Sequence, residues 1–297
     1  MLLTTIFCDI DDFCKHYEKF VSSKRLKNKS TLKKGGRPRN LSLSEVLTIC
    51  IYFHFSGYHT FKRYYKDHVC IVLKSLFGIL VSYNRFVELM REAAEPMLFF
   101  AATRNSKNIS GIAFIDSTKL PVCSNLRIYS HKVFKGIAAR GKSSTGWFYG
   151  FKLHIVINHV GEILSFWVTP GNVDDRNANV IKRVTKNLWG LLFGDRGYIS
   201  KPLFEKLYKN GLKLVTKIKK NMENKLMNIY EKLLLKKRNI IESTNNILKN
   251  SMMVDHTRHR SIHNFCTNLF SAIAGYSYRQ NKPAISKSFL TQLNCSL

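Results

Sequence analysis

Nine Asp and Glu residues lie between positions 106 and 250, and most have ordinary uses. Glu162 falls in an expected hairpin turn. Asp174 and Asp175 fall where a helix should start, a place that suits a capping carboxylate and the helix dipole. Glu205, Glu223 and Glu231 lie on Lys-rich helix faces and read as solvated partners. Asp116, Asp195 and Glu242 differ. Asp116 ends the apolar run GIAFI, Asp195 ends GLLFG, and Glu242 follows Asn-Ile-Ile. A carboxylate beside apolar neighbours costs several kcal/mol unless something neutralises it. Arg196 and Arg238 are adjacent candidates, and a divalent cation would serve better if the three acids converge. Hard oxygen donors with no Cys or His favour Mg²⁺ or Mn²⁺.

The segment around Glu242 extends this chemistry. Arg238, Glu242, Asn246 and Lys249 are spaced to share one helix face, with Asn245 flanking them. One metal-binding acid between two cations suits a phosphodiester site, the acid holding the ion and the cations holding the strand. A plain Arg–Glu surface pair is the simpler use of the same spacing. Lys152 and His154 fall in an expected strand beside the site, either contacting phosphate or lining a solvent edge. Gly36-Arg37-Pro38-Arg39 matches an extended unit that lays Arg37 and Arg39 in the minor groove of A·T-rich DNA, or a basic linker. Asp9, Asp11 and Asp12 superficially resemble a phosphotransfer motif, but a helix N-terminus explains them.

These residues need a scaffold. The first hundred residues read as helical: an amphipathic segment over 1–22, a basic arm over 24–39, and a capping-box pattern at Ser42–Glu45 that opens an apolar helix. Gly57 breaks that helix, a basic aromatic helix follows, and a longer one runs from about 83 to 103. Helix, glycine turn and basic helix outline a helix-turn-helix, or any three-helix bundle. From about residue 108 the pattern turns to short apolar runs. Residues 111–117 and 119–124 read as paired strands, 130–146 as a basic loop, and 149–172 as a hairpin. A helix over 174–188, a strand over 190–198, a helix over 200–210, the strand LKLVTKI, a long helix over 229–249 and a last one over 261–280 complete the reading. The expected division is a helical DNA-binding region, 1–105, and an α/β domain, 106–297, with a mixed sheet flanked by helices.

Charge and composition narrow the class. The 297 residues carry 48 Lys+Arg against 19 Asp+Glu, a formal net charge of +29. With 45% hydrophobic and 12% aromatic residues the chain is globular, and such a charge points to a polyanionic partner, usually nucleic acid. No apolar run reaches a membrane-spanning length, and the first residues lack a basic signal-peptide start, so a soluble, cytoplasmic protein with no membrane partner is expected. Seven scattered cysteines, none in C-x-x-C, argue against a disulfide framework or zinc ribbon.

Over about 108–280 the chain resembles the DDE transposases of bacterial insertion sequences. The resemblance rests on FIDST (114–118), GFKLH (150–154), TPGNVDD (169–175), GDRGYIS (194–200) and an R-x₃-E-x₆-K signature at Arg238, Glu242 and Lys249. It implies a ribonuclease-H-like catalytic core in which Asp116, Asp195 and Glu242 bind two Mg²⁺ ions, with Mn²⁺ as substitute. It also implies double-stranded DNA as partner, both the element's terminal inverted repeats and the target. Cleavage at the element ends and joining of 3′-OH ends to target would follow, in a homodimer or larger synaptic complex of a nucleoid-associated bacterial protein. Leu235 stands where the signature usually has tyrosine, and the 46 residues between Asp195 and Glu242 leave no room for an inserted β-rich domain. The alternatives are an inactive transposase-derived DNA-binding regulator and a nuclease of the same fold without strand transfer.

Overall fold

The computed structural model describes residues 1–27, 40–143, 146–217, 227–255 and 259–295. Arg37, Arg39, Glu223 and most of the basic arm lie outside these. In chain order the main elements are α1 (Leu2–Lys27), α2 (Leu43–Tyr52), α3 (Phe61–Arg63), α4 (Tyr83–Glu92), α5 (Ala94–Thr103), β1 (Ile112–Cys123), β2 (Ala139–Ser143), β3 (Gly146–Asn158), β4 (Ile163–Pro170), α6 (Ala178–Val184), β5 (Gly190–Gly194), α7 (Lys201–Lys209), β6 (Leu212–Thr216), α8 (Ile229–Lys236), α9 (Asn239–Asn246), α10 (Ile262–Ser277) and α11 (Lys287–Cys295). They form two compact units, residues 1–104 with 251–278, and 105–250 with 279–297.

Among its described residues the first unit is built of helices. Ser42 caps α2 through the expected capping box, accepting from the Glu45 amide while the Glu45 carboxylate accepts from the Ser42 N–H. Asp9 accepts from Arg104 and from the Tyr278 hydroxyl, and Asp11 accepts from Ser44. Asp9 and Asp11 therefore tie elements together from inside α1 instead of marking its start, while Asp12 pairs with Lys15 one turn along the same helix. The helix expected after Gly57 is one turn, α3, continued by a π-helical turn over Tyr64–Val69 that buries Tyr64, Tyr65 and Val69. The long helix over 83–103 divides at Ala93 into α4 and α5. Pro96 sits in the first turn of α5, where no intrahelical N–H is needed.

The last long helix, expected to close the sheet domain, belongs to this helical unit. Phe265 and the run from Thr267 to Tyr276 are buried on every side of α10, which packs mainly on α5 and α2. A helix buried all round needs neighbours all round, and other helices supply them. A Cβ on Gly275 would stand 2.9 Å from Met252 Cε, so glycine permits the close approach. His54 is buried between the Met252 carbonyl and the Ser271 hydroxyl, and burial lowers its pKa to about 4, which keeps it neutral.

The second unit is a six-stranded mixed sheet with strand order β2-β3-β1-β5-β6, β4 pairing along the rest of β3. β1, β3 and β4 are antiparallel neighbours, whereas β1, β5 and β6 run parallel. On one face, Ala113, Ile115, Val156, Leu192 and Leu214 pack against Ile181 and Val184 of α6 and Leu203 and Leu207 of α7. The other face carries Phe114 stacked on Phe193, their ring centroids 5.3 Å apart, and α9 packs on β1. This is the ribonuclease-H-like plan, a mixed sheet between helices.

Four local expectations change. The two short strands at 111–124 are one continuous strand, because Pro121 lies beyond the stretch of β1 that pairs with β5 and no N–H is required there. Part of the basic loop is β2. The helix over 174–188 is shorter, and its cap is Asn177, which accepts from the amides of Asn179 and Val180. Asp174 instead pairs with Arg176, which holds its carboxyl down at about 2. The helix over 229–249 breaks between α8 and α9, and a π-helical turn at Ile247–Ser251 follows. Among the described residues no helix is long and apolar enough to cross a membrane.

Candidate active site

Asp116 and Asp195 owe their positions to strand register. Phe114 of β1 is level with Phe193 of parallel β5, and each acid lies two residues further on. Side chains alternate along a strand, so both acids project from the face that carries the two phenylalanines. Adjacent strands lie about 4.8 Å apart. The plain sequence rule that a carboxylate follows each apolar run thus becomes a pair of acids at the same level of the sheet.

Asp195 caps the turn Arg196–Tyr198, its Oδ1 accepting from the Gly197 N–H at 2.8 Å. A Cβ at Gly197 would sit 2.9 Å from that oxygen. Glycine here serves the carboxylate directly.

Asp116 is held from α9. Arg238 Nη2 donates to Asp116 Oδ1 at 3.1 Å, and Arg238 Nη1 donates to Glu242 Oε1 at 2.6 Å. Asn245 Nδ2 donates to Asp116 Oδ2 at 2.9 Å. The side chains of Arg238 and Asp116 are 15% and 18% exposed, whereas Glu242 is 59% exposed and open to solvent. Burial pushes the Asp116 carboxyl up to about 6; Arg238 pulls it down, and the charges of Asp195 and Glu242 push it up again. Asp116 therefore feels both other acids of the sequence pattern, and Arg238 lies between it and Glu242.

The other expected contacts divide. Asn245, which flanked the sequence pattern, is the amide that reaches Asp116, while Asn246 is exposed and paired with Asn250. Lys249 lies half-buried in the π-helical turn, off the regular helical spacing. Lys152 is committed within the sheet domain, donating to the Val173 carbonyl at 2.9 Å and to Asp175 at 3.0 Å. His154 does not face a ligand: it is fully buried and hydrogen-bonded to Thr169, and burial lowers its pKa to about 4. It is a core histidine, in a stretch of β3 from Leu153 to Asn158 that is covered on both faces. Glu231, expected in solvent, is buried beside Lys213.

The donor set fits a hard divalent cation in kind. It consists of three carboxylates, and the Asn245 amide oxygen beside them is buried with no partner among the described residues. Among those residues no three acids stand close enough to hold one ion as they are, because Arg238 fills the gap between Asp116 and Glu242.

The model of a transposase DDE domain matches residues 106–262, more than half of the chain, and spans every residue of this site. The chain belongs to the transposase DDE domain family. The match to the DDE domain stops at the first residue of α10, the helix that packs with the helical unit. No curated protein matches the chain. Family membership makes the DDE domain a nucleic-acid strand-processing enzyme of the transposase kind, and the basic balance of the chain suits its polyanionic substrate.

Proposed function

We propose that this chain is the transposase of a bacterial insertion sequence, cleaving the element's ends and joining the 3′-OH ends to target DNA. The observation that carries the reading is the level placement of Asp116 and Asp195 on one sheet face, with Glu242 linked to Asp116 through Arg238. Asp116, Asp195 and Glu242 would hold two Mg²⁺ ions, or Mn²⁺ in their place. Such ions supply an activated water or 3′-hydroxyl and stabilise the leaving oxygen of an in-line displacement.

The protein's own groups have distinct tasks. Asn245 orients Asp116, and the Gly197 N–H orients Asp195. Arg238 neutralises Asp116 and Glu242, and with cations in its place it would serve as a phosphate contact together with Lys249 and Asn246. Arg37 and Arg39 would reach the minor groove, and the helical unit would recognise the terminal repeats. Paired ends require a homodimer or larger assembly. The charge of +29 brings in DNA and makes binding weaken steeply with salt.

The test uses supercoiled donor DNA bearing the element ends, with Mg²⁺, followed by joining of a pre-cut 3′ end to target. Nicking and joining in the wild type, both absent in Asp116→Asn, are expected. Tight binding without cleavage identifies a regulator and overturns the proposal; cleavage without joining identifies a nuclease and overturns its second half.

A further inference from the structure

The β2–β3 hairpin carries a constellation for which the proposed chemistry has no use. In the ladder Lys142 is opposite Trp147, and Arg140 is opposite Tyr149. Alternation puts Arg140, Lys142, Trp147, Tyr149 and Phe151 on one face and the buried Gly141 and Phe148 on the other. Along the first face the cover ends abruptly. Phe134 packs edge-on against Phe151, and the Tyr149 hydroxyl donates to the Phe134 carbonyl. Tyr149 and Phe151 are consequently buried. Trp147, next in the row, is 52% exposed.

Two cations attend that indole. The Arg140 guanidinium lies 5.0 Å from its centroid, and Lys142 Nζ lies 5.8 Å away. Asn125 fixes the Trp147 backbone by donating to its carbonyl at 2.9 Å, and the segment that follows exposes Leu126 and Tyr129 almost completely. From Ser117 to Gly161 the sequence holds seven Lys and Arg and no Asp or Glu. No acid of this stretch can neutralise the hairpin. A half-exposed indole with two cations over its ring complements a ligand that has flat rings and phosphates, the base taking the open part of the indole and the cations turning to the phosphates. Base–aromatic stacking with backbone neutralisation is the general mode for single strands. A base still stacked in a duplex cannot offer its face.

We propose that the β2–β3 hairpin is a binding site for an unstacked DNA base, with Trp147 as the stacking platform and Arg140 and Lys142 as the phosphate contacts. This rests on the DNA-processing reading, whose reaction opens strand ends. Binding is measured by fluorescence anisotropy in EDTA, in the full chain carrying Asp116→Asn, so that cleavage is not needed for the result. The probes are a labelled duplex with a short single-strand gap and the same duplex intact. Trp147→Ala is expected to weaken gapped-duplex binding about 10-fold or more and to leave intact-duplex binding within about 2-fold. Trp147→Phe, which keeps a ring, should retain most of the affinity and covers the case in which the alanine variant folds poorly. Arg140→Gln with Lys142→Gln should weaken both probes and flatten the salt dependence. Equal losses on both probes for Trp147→Ala, or none on either, overturn the proposal. So does binding of a poly-glutamate peptide that needs Trp147 while the gapped duplex does not. Gap binding that depends on Trp147 in a wild-type protein that never cuts DNA would sink the transposase reading alone.

Discussion

Asp116→Asn should make the protein more stable while removing its activity. The Asp116 carboxyl has a pKa of about 6 in the fold against an ordinary 3.8, with burial the leading cause. That rise costs the ionised form about 3 kcal/mol at neutral pH. The sign is that of a raised carboxyl. Below pH 4 the group is protonated in folded and unfolded chains alike, and nothing is lost; as pH climbs through 6 the folded chain pays the full cost. The amide escapes that cost at little other expense. Arg238 can still donate to its oxygen, and Asn245 can turn its own amide so that the unpartnered Oδ1 accepts from the new N–H₂. The variant should therefore unfold about 6–12 °C above wild type at pH 7.5, for a sheet unit of this size. At pH 5 the gap should shrink to roughly half. Thermal unfolding in EDTA at the two pH values measures both quantities. A variant no more stable than wild type, or a gap that ignores pH, would refute the burial argument.

Other substitutions probe neighbouring parts of the site. Arg238→Gln leaves Asp116 buried without its cation, so stability at pH 7.5 should fall by about 2–3 kcal/mol. Most of that should come from Asp116, since the Glu242 pair is exposed and worth under about 1 kcal/mol; Mg²⁺ should raise the variant's melting temperature more than the wild type's. Gly197→Ala drives a methyl against Asp195 Oδ1 and should lower the cleavage rate about 10-fold or more, with unfolding by urea almost unchanged. Lys152→Ala should cost about 1–2 kcal/mol in stability through the lost bonds to Val173 and Asp175, and leave the salt slope of DNA binding intact, because that ammonium is already engaged.

The acids were legible in sequence for a physical reason: a carboxylate directly after an apolar run has few structural uses, so Asp116, within β1, and Asp195, just past β5, stood apart from the capping and solvated acids. The strands that carry them, the β3–β4 hairpin and the Ser42 cap were legible from alternation, glycine turns and local hydrogen-bonding chemistry. What misled was helical spacing carried across breaks. The interruption between α8 and α9 and the π-helical turn after α9 moved Lys249 off the expected face and gave the Asp116 contact to Asn245. His154 and Lys152 alternate correctly along β3, but which side of a central strand is covered depends on what packs there, and the local sequence does not say. The same limit applied to α10, whose apolar circumference announced burial without naming the unit that would bury it.

The central claim is that Asp116, Asp195 and Glu242 together hold the metal. Mn²⁺ binding followed by electron paramagnetic resonance, in the presence of a pre-cut DNA end, tests it most directly. The account predicts two bound ions in wild type, and marked loss of binding in each of Asp116→Asn, Asp195→Asn and Glu242→Gln with the fold retained. Undiminished Mn²⁺ binding in the triple variant would contradict it.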